Sequence, residues 1–190
     1  MDKIIIDKLD VVRRQIKEAV HLFFEKRDRI VIHTIIASAH QILFDLSKQT
    51  NVKSAVKNTE ALRSPEIQKH LRTINYPYNF FKHADRDPGG KINIGTLNRL
   101  ISDFIMDAIV MLQQVAGDIP TEAKVYWFWF VSKYPQEFDN LPQDGELAKM
   151  QREGLAECDF QTICQFLLCN DIMEEANKAN SADTKNSAAD

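Results

Sequence analysis

The stretch NFFKHADRDP, residues 79 to 88, places Lys82, His83, Asp85, Arg86 and Asp87 in close succession behind two phenylalanines. Asn79 and His83 are four residues apart, so a helix would put both on one face. An imidazole is the side chain suited to moving a proton near neutral pH. Lys82 or Arg86 beside it would hold an anion, and arginine does so with the better geometry because of its planar fork. The chemistry available is therefore recognition of a phosphate-like group, with Tyr78, Lys82, Asp85 and Arg86 as ligand-binding residues. If there is a reaction, it is proton transfer by His83 with Asn79 orienting. The structural alternative is that Phe80 and Phe81 anchor a short helix in a core and the charges crowd its solvated end.

Other candidates are weaker. His33 and His40 are seven apart and share a helix face; they read as hydrogen-bonded residues near the core. Glu18 and His21 make one Glu-x-x-His, half of the pattern that di-iron bundles use twice. Asp85, Asp87 and Gly90 fall at the first, third and sixth positions of a calcium loop. Gly89 and Thr96, however, stand where oxygen ligands are required. The run from Tyr126 to Phe130 has Lys124 and Lys133 only at its flanks, so a fully buried helix is expected rather than a base-stacking platform. Neither a glycine-rich phosphate loop nor a Gly-x-Ser-x-Gly elbow occurs. No metal and no cofactor are expected.

The block Tyr78-Asn79-Phe80-Phe81-Lys82-His83, with LFFEKRD and IHT at residues 22 to 34, resembles all-helical bacterial domains of the HEPN class. In that class an arginine, a polar residue and a histidine lie on a late-middle helix and often face their twins across a dimer that cleaves RNA. The resemblance covers residues 1 to 135 as architecture and residues 79 to 88 as motif. It implies a homodimer and a site on His83 and Asn79. Tyr78, however, occupies the arginine slot. Metal-free RNA cleavage needs a cation to hold the charged phosphate, and tyrosine carries none. The resemblance with this departure implies a non-catalytic interaction or ligand-binding module, with a protein partner, RNA or a nucleotide bound. The alternative is a metal-independent ribonuclease. A second pair of similar spacing, Arg27-Asp28 and His33, comes early for the class, and Asp28 has a capping role.

The elements that must carry these residues are helical. Ile5, Leu9, Val12, Ile16, Ala19 and Phe23 form a stripe of period three to four. Asp28 caps a second helix, which is apolar nearly all round and so belongs in the middle of a bundle. Its inner ladder is Ile32, Ile35, Ile36, Ala39, Leu43 and Leu46. Residues 48 to 62 read as a polar loop. Ser64-Pro65-Glu66 is a helix start, and Pro77 interrupts that helix. Gly117 ends the next one, and Pro120 opens another. The expected helices are 3–26, 29–48, 64–84, 96–116, 120–134 and 159–176. Together they make one all-α domain over 1–176 with a disordered tail over 177–190.

Composition agrees with that class. Of 190 residues 44% are hydrophobic, which is globular. Lys plus Arg number 24 against 27 Asp plus Glu, so no large positive field favours nonspecific nucleic-acid binding. The apolar run Ile4 to Ile6 is broken by Asp7 and Lys8, so neither a signal peptide nor a membrane span is expected there. Three cysteines without CxxC spacing point to a cytoplasmic location and to small buried thiols.

Overall fold

A computed structural model describes residues 4–58, 60, 64–138, 149 and 152–169. Among them lie six α-helices and no strand: α1 Lys8–Phe24, α2 Arg29–Ser47, α3 Ser64–Lys82, α4 Leu97–Ala116, α5 Thr121–Lys133 and α6 Phe160–Cys169. The all-helical class expected from periodicity is what the chain adopts. The expected tail over 177–190 and the end of the last helix, with Met173, lie outside the described residues. The chain divides into two compact units, Met1–Lys124 and Val125–Asp190.

In the first unit α1 begins at Lys8 rather than residue 3. Asp7 and Asp10 form a capping box, each carboxylate accepting from the other's backbone N–H, at 2.7 and 3.4 Å. That box satisfies first-turn donors and leaves Ile4 and Ile5 outside the helix at 86% and 77% exposure. Val12, Ile16, Ala19 and Val20 are buried against α2. Asp28 caps α2 as expected, with Oδ1 accepting from Ile30 N–H at 2.8 Å and Val31 N–H at 3.3 Å. Helix α2 packs on α1, α3 and α4. It is long and apolar enough to cross a bilayer. Burial of Ile32, Ile36, Ala37, Ala39 and Leu43 among the other helices makes it the central core helix instead.

Helix α3 corrects one expectation. Pro77 lies inside it and does not interrupt it. Proline removes one bond, the one its N–H would have donated to the Thr73 carbonyl. Thr73 is exposed, so the lost bond falls on the solvated side of the helix, where its cost is small. The only core side chain among the described ones on α3 is Ile74. Helix α4 is the opposite case, with a buried face running from Leu97 to Leu112. It ends at Gly117, where φ is 78°, a conformation that favours glycine. Arg13 to Asp118 and Lys17 to Glu122, both 2.8 Å, tie α1 to the segment after α4.

In the second unit the aromatic run is not wholly buried. Tyr126 and Phe130 are, whereas Trp127, Phe128 and Trp129 are half-buried, because a helix that is apolar all round still has one outer side. Trp129 Nε1–H donates to the Ala156 carbonyl at 3.0 Å, and Lys133 pairs with Glu157. Asp159 caps α6 by accepting from Thr162 N–H at 2.8 Å, and Ile163 and Leu167 are its buried residues. The thiols are free, but they are not buried: Cys158 and Cys164 are half-buried and Cys169 is exposed.

Candidate functional site

Among the residues singled out at the end of α3, Tyr78 meets Lys82 and His83 meets Asp85, and both contacts lie at the surface. The last helical bond runs from His83 N–H to the Asn79 carbonyl, 3.1 Å, so His83 sits one turn beyond Asn79 at the helix end. Both are exposed, as are Lys82, Asp85 and Arg86. The Lys82 ammonium lies over the Tyr78 ring, 3.9 Å from its centroid, a cation–π contact. The charge next to the His83 ring is acidic: Asp85 Oδ1 is 3.7 Å from Nδ1, beyond hydrogen-bond range. The turn that follows closes with Gly90 N–H donating to the Asp87 carbonyl at 3.1 Å. A Cβ on Gly90 would meet Asp87 Oδ2 at 2.0 Å, so any other residue there would displace the exposed Asp87 side chain. Phe80 and Phe81, both expected in the core, are half-buried; Phe81 packs edge-on to His33 of α2 with ring centroids 5.7 Å apart and planes at 86°.

A second polar constellation, which local sequence pattern did not bring out, lies in the core between α2, α4 and the loop before α3. Asp107 of α4 is buried and receives four donors. His40 Nε2–H reaches Oδ2 at 2.7 Å and Ser54 Oγ–H reaches the same oxygen at 2.5 Å. Ala55 N–H donates to Oδ1 at 2.9 Å, and Val56 N–H to Oδ2 at 3.2 Å. Ser54 Oγ in turn accepts from Lys57 N–H at 2.9 Å. The polar loop expected over 48–62 thus has a buried middle. Burial pushes the Asp107 carboxyl up, but the His40 contact and the Ser54 and Ala55 donors outweigh it and hold it below the ordinary range. Burial dominates at His40 and lowers it, so the pair is a carboxylate and a neutral imidazole protonated on Nε2.

Ser54, His40 and Asp107 share residue types with a hydrolase triad but lack its geometry. In a triad the carboxylate and the serine address opposite ring nitrogens. Here both are next to Nε2, His40 Nδ1 has no partner, and all three residues are buried. The arrangement pins the loop to α4. Lys57 completes it, with Nζ donating to Gln41 Oε1 at 2.7 Å and lying 4.7 Å from the Phe44 ring centroid. Burial pushes this amine down to about 8.

The remaining candidates stay apart. His33 is fully buried, and neither ring nitrogen has a hydrogen-bond partner; the expectation that it is hydrogen-bonded holds for His40 and fails for His33. Burial takes its pKa down to about 4. Arg27 pairs with Glu25 at 3.3 Å and Asp28 is engaged in its cap, so the pair Arg27–His33 offers no open site. His21 faces Glu122 at 3.5 Å. Among the described residues no group of three or more His, Cys, Asp or Glu side chains converges as a metal-ligand set. Comparison of the chain with protein-family models, curated proteins and solved structures returns no match.

Proposed function

We propose that this chain is a non-catalytic, HEPN-like interaction module of the cytoplasm, working as a homodimer, with the exposed end of α3 as its ligand-binding surface. The observation that carries the reading is the disposition of charge around His83. A base that cleaves RNA without metal needs a cation aimed at the developing charge on phosphate. Next to the His83 ring stands the Asp85 carboxylate, while the Lys82 ammonium rests on Tyr78. A tyrosine face with Lys82 on it and Arg86 nearby in sequence suits an anion carrying a planar group, such as a nucleotide or a single-stranded RNA segment. The dimer reading draws support from Ile30 and Val31, exposed at 38% and 48% on the first turn of α2. His33, against which Phe81 packs, follows on that same helix end.

Ribonuclease activity centred on His83 is the competing reading. It is favoured by the one-turn spacing of two exposed side chains, Asn79 and His83. One experiment separates the two. Labelled single-stranded RNA is incubated with wild type, His83→Ala and Lys82→Ala/Arg86→Ala in chelator, and both binding and cleavage are followed. The binding reading expects no cleavage by any protein and an affinity at least about tenfold weaker in the Lys82/Arg86 variant than in the other two. Cleavage by wild type that His83→Ala abolishes establishes the enzyme instead. Light scattering at twice the 21.9 kDa of one chain is the expected mass.

A further inference from the structure

We infer that the end of α3 is a proton-released latch: protonation of His33 undocks Phe81 and frees the last turns of α3, while α1, α2 and α4 stay folded. The latch deepens the binding reading above, on which its functional meaning rests, because the residues it would release are Tyr78 to Arg86. The physical basis is a buried imidazole with nothing to bond to. His33 is 0% exposed, both ring nitrogens are unpartnered, and it lies between Phe81 of α3 and Phe104 of α4, with centroids 5.7 and 5.6 Å away. Such a ring is tolerated only while neutral, because a buried cation without an acceptor is far costlier than a buried neutral ring.

The titratable groups on the elements around His33 offer no internal rescue. On α2, His40 is committed to Asp107. On α4, Asp107 is held by four donors, and Asp103 pairs with Arg99 at 2.8 Å. On α1, His21 faces Glu122. On α3, Lys82 and His83 follow Phe81 and would add positive charge rather than accept a proton. An imidazolium at position 33 must therefore reach water. Of the two rings that cover it, Phe104 is fully buried in a helix with an extended core face. Phe81 is half-buried, next to exposed residues, on a helix whose only described core side chain is Ile74. The α3 side is the one that yields. Burial holds the ring's pKa down to about 4, so opening belongs to acid solution.

The test is amide hydrogen exchange of the full chain at a series of pH values between 7 and 4, corrected for intrinsic rates, with an NMR titration of the His33 ring over the same range. The expected result is a drop of at least about tenfold in protection over residues 75–83, with α4 protection retained, and a midpoint matching the His33 titration. In His33→Leu and in His33→Gln that drop disappears. Unchanged protection in wild type, an equal drop in both variants, or simultaneous loss over α3 and α4 would each overturn the latch. None of these readouts uses a ligand, so failure of RNA binding at pH 7 would leave them standing, and their failure would leave the binding result standing.

Discussion

Two histidines two turns apart on α2 meet opposite fates. His40 and His33 are equally inaccessible to solvent, and both rings pack on Phe104, at 4.7 and 5.6 Å. His40 has found a carboxylate, and through it a hydroxyl and two backbone amides of a distant loop. His33 has found only rings. The first arrangement joins a loop to the core through donors and acceptors that satisfy one another, with only His40 Nδ1 left over. The second joins a helix to the core by packing alone and carries an unmet polar requirement. Burial by itself therefore says little about what a polar side chain contributes. What matters is whether its hydrogen-bonding atoms are matched.

The strongest way to break the contrast is to remove the carboxylate. Asp107→Ala leaves Ser54 Oγ–H, His40 Nε2–H and two backbone N–H groups without their acceptor in the core. A loss of about 3–5 kcal/mol is expected, read from the urea midpoint, with proteolytic cutting in the 48–58 loop rising alongside. A loss under about 1 kcal/mol would mean that the pin contributes little and that the two histidines are not so different.

Acid tests the unmatched ring next. The folded-state pKa of His33 is depressed, so the unfolded chain takes up the proton first and stability is fully present above pH 6.5. It falls as pH drops toward about 4 and levels off below that. The two values imply a fall of about 3 kcal/mol, less whatever undocking α3 recovers. Burial lowers His40 as well, so its contribution has the same sign. Urea titrations at pH 7, 5.5 and 4 on wild type and His33→Leu isolate the His33 share as the difference in slope.

One substitution at both positions sharpens the comparison. His40→Leu should cost about 2 kcal/mol at pH 7, because it strips a donor from a buried carboxylate. His33→Leu should instead stabilise by about 1 kcal/mol, because an apolar side chain of similar size removes two unmet polar atoms. Thermal or urea unfolding of the two variants side by side gives the sign directly. Equal signs would show that His33 has a partner in solution, such as an ordered water, that its surroundings do not reveal.

The same contrast explains what was legible in the sequence. Helix existence was, because Asp28, the Ser64-Pro65 start, Gly117 and the apolar periods act within a few residues of one another. The start of α1 was misplaced although its cap was present, since Asp7 and Asp10 read equally well as charges on a helix surface. Continuity through Pro77 depends on exposure of Thr73, which a single sequence does not display. The surface cluster at Tyr78–Arg86 was visible because its residues are neighbours in the chain. The buried network was not, because His40 and Asp107 are 67 residues apart and Ser54 and Asp107 are 53 apart. Its one local trace is an aspartate inside FIMDAIVML, where an unmatched charge would be untenable.

The smallest expected effect falls on the residue that drew attention first. His83 is exposed, its ring is 3.7 Å from an exposed carboxylate, and its backbone N–H bond to Asn79 does not depend on the side chain. Contacts of this kind contribute little, since water competes for both partners and two side chains lose rotamer freedom in pairing. His83→Ala should leave the urea midpoint where it is at pH 7, unlike His40→Leu or His33→Leu. Lys82→Ala should do the same for stability while weakening anion binding, because its ammonium lies on the Tyr78 face at which a planar ligand would arrive. A stability loss in His83→Ala comparable to that in His40→Leu would tie the end of α3 firmly to the core. The polar cluster would then be part of the framework, with no helix end left to serve as a released binding surface.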